Sequence, residues 1–147
     1  MTKKETKDKS RQYKPSTVRR LDTLSGNECA HPDCSKKLIA EDGVSIISKI
    51  CHIAAASKEG PRFDDNMTDE ERRGFDNLIL LCDEHHVMID NKENEAQYPT
   101  SILKEWKHSH EKKILELKKQ LREAKRESRE KVEKIGIFFQ FFNIVFA

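Results

Sequence analysis

Two pairs of metal-ligating residues, far apart in the chain, constrain this sequence more than any other feature. Cys29 and Cys34 are separated by four residues, and Cys82 and His85 by two. Zinc prefers four thiolate or imidazole ligands in a tetrahedron, and closed structural sites often use three cysteines and one histidine. The alternative is that the cysteines are ordinary buried thiols. The paired spacing predicts one structural zinc ion that joins two distant segments.

Two further residues compete for this zinc site. His31 lies inside the first pair, but its neighbour Pro32 and the short spacing favour an exposed position. Cys51 is the remaining cysteine and could take the fourth ligand place. Residues 1–20 contain no apolar stretch of the kind found in secretory signals. We therefore expect a cytoplasmic protein, in which spaced cysteines bind metal more often than they form disulfides.

The distribution of charge indicates an anionic partner. The chain has 147 residues, of which 37% are charged and 35% hydrophobic, so its core is small and suits support by a metal. Residues 1–20 contain eight Lys or Arg and two acids, residues 21–103 eight and seventeen, and residues 104–134 twelve and seven. Basic segments around an acidic centre favour binding of a polyanion such as DNA beside a cation site. Charged tails that merely keep the chain soluble are the alternative.

Strand and helix signals alternate in the middle of the chain. The β-branched run 44–53 and the apolar run 78–81 predict strands. Thr68 followed by Glu71 is a capping-box pattern that opens a short helix. Residues 83–90 predict a second helix directly after the apolar run. These elements predict an α+β fold.

The predicted boundaries place one segment before the α+β domain and one after it. We expect a disordered basic arm over 1–20, the α+β domain over 21–112 and a long charged helix over 101–134. Mostly apolar residues recur along this helix at seven-residue spacing, in two rows that His110 and Ser128 interrupt: Leu103, His110, Leu117 and Ala124; Ile114, Leu121, Ser128 and Ile135. The rows resemble a coiled-coil seam that weakens after Leu121. It would bind a protein partner or form a homodimer, and a solvated charged helix is the alternative.

The last thirteen residues, 135–147, form an apolar tail rich in phenylalanine. A membrane-spanning helix needs about 20 apolar residues, so we expect no membrane span. A buried strand, a partner-docking tail and the edge of a longer segment remain open as explanations.

Three further polar residues suit phosphodiester hydrolysis, which needs an activated water and a cation on the scissile phosphate. His52 ends the first predicted strand, Asn77 precedes the second, and His86 lies on the helix with Asp90 one turn later. A neutral histidine is a suitable general base near pH 7. Residues four apart share a helix face, so His86 and Asp90 could share one cation. His85 points about 100° away, toward the cysteines.

Each of these residues also has a structural alternative. His52 could be a buried core histidine with its hydrogen bonds satisfied. Asn77 could cap a turn, and Asp90 could be an ordinary helix-end residue.

In this order, the residues resemble the HNH endonucleases, specifically a bacterial branch with a zinc knuckle and a ββα-metal fold. The resemblance covers 25–112 through CAHPDC, ICHIAAASKEGPRFDD, MTDEERRGFDNLILLCDEHHVMID and YPTSILKEWKHSHE. It implies that His52 is the general base and that His86 binds the catalytic cation together with Asp90. It also implies that Asn77 holds the loop and positions His52. Domains of this branch occur in bacterial defence effectors.

The chain departs from the family pattern at one position. Many members carry an acidic residue or a histidine just before the base, as a metal ligand, and this chain has Cys51. A thiolate is a poor ligand for Mg²⁺ and a better one for Zn²⁺ or Ni²⁺. The catalytic divalent cation is therefore expected to be Mg²⁺, Mn²⁺, Ni²⁺ or Zn²⁺, with Cys51 as a further ligand candidate.

Four basic residues near the base are candidates for contacts with DNA phosphates. They are Lys58, Arg62, Arg72 and Arg73. Solvated surface charges are the alternative.

The pattern favours an HNH endonuclease that hydrolyses phosphodiester bonds of DNA with low sequence specificity. No base-reading element is visible, and basic segments favour contacts with the DNA backbone. The alternative is a non-catalytic, zinc-stabilised module that binds nucleic acid or protein. A third interpretation is a nuclease subunit that is inactive until a partner docks on its helix or tail. The complete set of His, Asn and His favours the enzyme, because a binding module needs no base.

Overall fold

The computed structural model describes the backbone of residues 9–145 and side chains as far as residue 142. The chain divides into two units, Met1–Lys112 and Lys113–Ala147, which are described separately. Its helices and strands are 3-10 helix Lys9–Arg11, α1 Pro15–Ser25, β1 Ser48–His52, α2 Asp69–Arg72, 3-10 helix Phe75–Asn77, β2 Leu78–Cys82, α3 Asp83–Asp90, 3-10 helix Lys92–Asn94 and α4 Thr100–Val145. The mixed α+β class is therefore confirmed.

The two strands form a small antiparallel sheet at the centre of the first unit. Ser48 pairs with Cys82, and His52 pairs with Leu78. Every residue of β2 is buried, as its continuous apolar run predicts. The surrounding core includes Leu21, Ile53, Leu78, Leu81, Ile89 and Leu103. Because α3 begins directly after β2, the sheet and this helix hold the functional side chains close together.

The first strand is shorter than predicted. The run 44–53 forms regular pairing only from Ser48. Before that point an isolated bridge joins Ile39 to Ile46, and the side chains of Val44 and Ile46 are exposed. β-branched residues favour extended backbone, but a strand also needs a partner along its whole length, and residues 44–47 have only this bridge.

Internal hydrogen bonds hold the long connection 53–77 between the strands. The capping box is confirmed: Thr68 Oγ1 accepts the N–H of Glu71 at 3.3 Å, and Glu71 accepts the N–H of Thr68 at 2.8 Å. Arg72, the last residue of α2, donates to the carbonyls of Ala55, Asp64 and Met67. The short helix α2 is thereby tied to the start and the middle of the connection.

The predicted disorder of 1–20 is wrong over 9–20. Ser10 is buried within the first 3-10 helix, and α1 begins at Pro15, whose fixed backbone angle suits the first turn of a helix. Composition predicts disorder where a segment lacks apolar residues, but this segment is held by partners elsewhere in the chain. Residues 1–8 lie outside the described residues.

In the second unit, α4 continues through Val145, beyond the predicted end at 134. The buried strand considered for the tail is therefore wrong over 135–145. Phe138 and Phe142, four residues apart, stack with ring centroids 6.3 Å apart, as neighbours on one helix face do. Leu117, Leu121 and Ile135, from the predicted seam, are exposed. None of the helices in the described range carries an apolar stretch that would reach across a bilayer.

Candidate metal centre and active site

The structure groups the two predicted ligand pairs into one cluster. The ligand atoms of Cys29, Cys34, Cys82 and His85 all lie within 4.8 Å of one another. His85 Nδ1 is 3.2 Å from the Sγ of Cys82 and 3.6 Å from that of Cys29. All four cysteines lie in the described range, and none forms a disulfide. Three sulfurs and one imidazole at this spacing could hold a metal ion such as zinc.

Backbone contacts bring these two pairs together. The N–H of Ala30 donates to the carbonyl of Leu80 at 3.1 Å, which ties the loop 29–34 to β2. Cys82 ends β2 and caps α3, and its N–H donates to the sulfur of Cys29 at 3.3 Å. His85 lies in the first turn of α3. The cluster therefore forms where the loop, the strand and the helix meet.

The protonation chemistry of the cluster suits a cation. Burial raises the pKa of the Cys29 thiol to about 12. A thiolate at this position therefore needs a nearby positive charge, which a bound metal ion supplies. Burial, together with nearby His31, lowers the pKa of His85. Its imidazole is thus kept in the neutral form that binds metals.

An aromatic layer that the sequence patterns missed covers the cluster. The ring of His31 stacks on that of His85, with centroids 3.8 Å apart and an angle of 15° between the planes. Trp106 packs its edge against His31 at 4.5 Å, and Tyr98 packs against Trp106 at 5.6 Å. His31 is half-buried here rather than exposed. This layer limits how far the ring of His85 can turn.

A cavity of about 420 Å³ brings together two of the three predicted catalytic residues, His52 and His86, with the candidate cation ligands. Cys51 and His52 from β1 line it, as do His86 and Asp90 from α3. His86 Nε2 lies 3.0 Å from a carboxylate oxygen of Asp90, as their four-residue spacing predicts. The candidate base and the candidate cation ligands therefore share one open space.

His52 also contacts the segment that precedes α1. Its Nε2 lies 3.1 Å from the carbonyl oxygen of Ser10. The ring of Tyr13 packs at a centroid distance of 5.7 Å. The candidate base is thus in contact with residues that lie outside the predicted domain 21–112.

Asn77 is not among the described residues that line the cavity. Its side chain binds the backbone of Ala54 and Arg72 instead. The amide is only 4% exposed. It exchanges two hydrogen bonds with Ala54 and donates to the carbonyl of Arg72 at 2.9 Å. The backbone carbonyl of Asn77 accepts the N–H of Ile53 at 2.8 Å. This geometry suits a residue that holds the chain just after His52.

Cys51 lies in the cavity wall as a buried thiol. It is 2% exposed, and its Sγ donates to the carbonyl of Lys49 at 3.4 Å. Burial, reinforced by the negative charge of Asp90, raises the pKa of Cys51. A buried thiol that already donates to a carbonyl of its own strand is less available to a cation than the side chains of His86 and Asp90. The geometry thus favours His86 and Asp90 as cation ligands over Cys51.

Arg62, a predicted phosphate contact, lines the cavity but is mostly buried. It is 8% exposed and has a left-handed backbone, with φ 57°. Its guanidinium donates to the carbonyl of Ile53 at 2.7 Å and to that of Ile89 at 2.8 Å. These carbonyls are next to His52 and Asp90 in sequence. Arg62 therefore ties the end of β1 to the end of α3.

The other three predicted phosphate contacts differ in how far they are buried. Arg72 is buried and bound to loop carbonyls, so it braces the loop. Arg73 forms an ion pair with Glu70, which is exposed. Lys58 is exposed and lies 3.2 Å from Asp65. Of the four, Lys58 has the most exposed side chain, which suits either a phosphate contact or a solvated surface charge.

The predicted site residues thus form two neighbouring groups. Cys29, Cys34, Cys82 and His85 belong to the metal-binding cluster, whereas His52, His86 and Asp90 share the cavity. No family model matches this chain, and no curated protein matches it. What the site does is therefore inferred from its own geometry and chemistry.

Proposed function

We propose that this chain is a metal-dependent endonuclease of the HNH type, which hydrolyses phosphodiester bonds of DNA with low sequence specificity. The observation that carries the proposal is the cavity shared by His52 from β1 and by His86 and Asp90 from α3. The element order β1, β2, α3, with the metal-binding cluster where β2 meets α3, supports it.

The side chains at the cavity suit the cation that this reaction needs. His86 and Asp90 would hold a divalent cation, which supplies Lewis-acid polarisation of the scissile phosphate when bound. An imidazole and a carboxylate suit Mn²⁺, Ni²⁺ and Zn²⁺, and the carboxylate also suits Mg²⁺. Their ligand atoms already lie 3.0 Å apart on one helix face.

His52 takes the proton from the attacking water in this mechanism. Asn77 and Arg62 hold the backbone on either side of Ile53, the residue that follows His52. These contacts limit the movement of the strand end that carries the base. The base is thereby kept in place by buried hydrogen bonds instead of by the substrate.

The metal-binding cluster has a separate, structural role in this proposal. We assign it a zinc ion, because three sulfurs and one imidazole form the ligand set of closed zinc sites. His85 and His86 are neighbours on α3, so fixing His85 also fixes the rotation of the helix that presents His86. Zinc would then support the reaction without taking part in it.

DNA would approach through its phosphate backbone. Arg11 and Lys92 line the cavity, which places positive side chains beside the candidate base and cation ligands. Contacts with phosphates position DNA without reading its sequence. Arg62 also lines the cavity, but it is mostly buried and donates to backbone carbonyls, and Arg72 is not among the described lining residues.

A plasmid-nicking assay with Mg²⁺, Mn²⁺, Ni²⁺ or Zn²⁺ tests the proposal. His52→Ala should lower the cleavage rate by about 100-fold or more, since general-base catalysis typically contributes that much. Bound zinc and the circular dichroism spectrum should stay unchanged. His108→Ala is the matched control, because His108 is exposed on α4. Equal nicking by the wild type and His52→Ala would overturn the proposal.

A non-catalytic DNA-binding module is the second candidate. The observation that favours it is the exposed face of α4 beyond Lys112, which carries a surplus of Lys and Arg. Such a module would bind DNA with an affinity that falls steeply with salt. It would cut DNA with none of the four cations, so the same nicking assay separates the two candidates.

A further inference from the structure

We propose that residues 9–14 are a working part of the active site, in which the backbone carbonyl of Ser10 positions the imidazole of His52. These residues precede the predicted domain 21–112. The inference rests on the proposed role of His52 as the general base. Ser10 would act as a positioning residue, through its contact with His52 and without touching the substrate.

The contact of Ser10 with His52 determines which ring nitrogen carries the proton. His52 Nε2 lies 3.1 Å from the carbonyl oxygen of Ser10. A carbonyl only accepts hydrogen bonds, so Nε2 must donate. In the neutral imidazole the lone pair is then on Nδ1. Ser10 thereby favours the tautomer that carries the proton on Nε2 and holds the ring in one orientation.

Two contacts hold Ser10 in the position that this role requires. Ser10 is fully buried, and its hydroxyl donates to the carbonyl of Ala56 at 3.2 Å. Ala56 follows His52 by four residues and also lines the cavity. The ring of Tyr13 packs against that of His52. The segment is therefore bound both to the base and to the loop that follows it.

The end of α2 provides a second anchor for the segment. Arg73 donates to the carbonyl of Gln12 at 3.3 Å and to that of Lys9 at 3.5 Å. Lys14 lies 3.0 Å from Glu70. Because the carbonyls of Lys9 and Gln12 bind one guanidinium, moving the segment away from His52 would break these hydrogen bonds. Arg73 was predicted to contact phosphate, and the geometry gives it this anchoring role instead.

Displacing the segment in the full-length protein tests the inference. Ser10→Leu has no room for its side chain and should push the segment away. Arg73→Gln removes the second anchor. It replaces Ser10→Leu as the test variant if Ser10→Leu does not fold. Arg19→Gln, on the exposed side of α1, is the matched control. Bound zinc and circular dichroism show in each variant whether the fold is intact.

Long-range ¹H–¹⁵N spectra of ¹⁵N-histidine-labelled protein give the first readout. We expect the wild type and Arg19→Gln to show His52 protonated on Nε2. The displaced variants should show a mixture of tautomers. A wild-type His52 protonated on Nδ1, or unchanged spectra in both Ser10→Leu and Arg73→Gln, would overturn the inference. This readout needs no cleavage, so its failure is distinguishable from failure of the proposed nuclease activity.

Cleavage kinetics give the second readout. The displaced variants should lose about 10- to 100-fold in kcat with little change in KM, because small misplacements of a catalytic group carry losses of this size. A kcat that rises on displacement would mean that the segment blocks the site, which contradicts the positioning role.

Discussion

Asn77 and Ala54 form a reciprocal pair of hydrogen bonds just after the end of β1. The side-chain oxygen of Asn77 accepts the N–H of Ala54 at 2.8 Å, and its amide nitrogen donates to the carbonyl of Ala54 at 2.9 Å. Ala54 follows His52 by two residues. The pair is buried, so neither partner has water as a ready alternative. The position of the candidate base therefore depends on a residue that lies outside the cavity lining.

Asn77→Ala should destabilise the first unit by about 2–4 kcal/mol, because it leaves a buried N–H and a buried carbonyl of Ala54 without partners. Urea denaturation measures this loss. Asn66→Ala is the matched control, since Asn66 is exposed, and it should change stability by less than about 0.5 kcal/mol. Equal midpoints for Asn77→Ala and the wild type would contradict the role given to this amide.

Cys34→Ser should release the structural metal and unfold the first unit. Metal binding contributes on the order of 10 kcal/mol to folding in zinc-finger peptides, which is comparable to the whole stability of a small domain. Chelation of the wild type should have the same effect. Elemental analysis and a thermal melt measure both.

Cys51→Ala is the matched control for the metal experiment. Cys51 is buried outside the cluster, so its loss should cost about 1 kcal/mol in packing and leave the metal content unchanged. Loss of metal from Cys51→Ala, or retention of metal by Cys34→Ser, would show that the ligand set is different.

Asp90→Asn should weaken binding of the proposed catalytic cation. The amide keeps the shape of the side chain and removes the negative charge beside His86, so the cation concentration for half-maximal nicking should rise by about 10-fold or more. Titration of Mn²⁺ in the nicking assay measures it. Asp83→Asn, at the exposed start of α3, should leave the midpoint unchanged. If Asp90→Asn and Asp83→Asn needed the same Mn²⁺ concentration for half-maximal nicking, Asp90 would not be a ligand.

The turn at Asp42 should respond to acid within a defined window. Its carboxylate accepts the hydroxyl of Ser45 and the N–H groups of Ser45 and Val44, which lowers its pKa from 3.8 to about 2. Because the folded value lies below the unfolded one, the stabilisation is complete above about pH 4 and is lost as the pH falls through about 2. A carboxyl NMR titration of Asp42 checks this, and an ordinary midpoint near 3.8 would refute it.

Much of the candidate site follows from local rules of backbone geometry. The spacing of four between His86 and Asp90 places them on one helix face wherever that helix lies. Thr68 and Glu71 cap a helix through contacts that span three residues. Cys82 and His85, three positions apart, fit a strand end and the first helical turn after it. Such features need no knowledge of the remaining chain.

The residues predicted less well have partners that are distant in sequence. Arg62 was expected near phosphate, but the carbonyls of Ile53 and Ile89 take its guanidinium into the interior. Residues 9–20 have the composition of a disordered arm, but Arg73 and His52 bind their backbone. Local sequence describes a residue and its neighbours along the chain. These contacts depend instead on which backbone carbonyls the fold brings near each side chain.

The sequence by itself determined the ligand pairs, the helix and strand that carry them, and the order of His52, Asn77 and His86, because spacing along regular backbone sets which side chains can act together. Only the tertiary structure decided that Arg62 is an internal tie and that Ser10 contacts His52. A buried charge or a buried carbonyl must find a partner, and packing across the whole unit determines which partner is within reach.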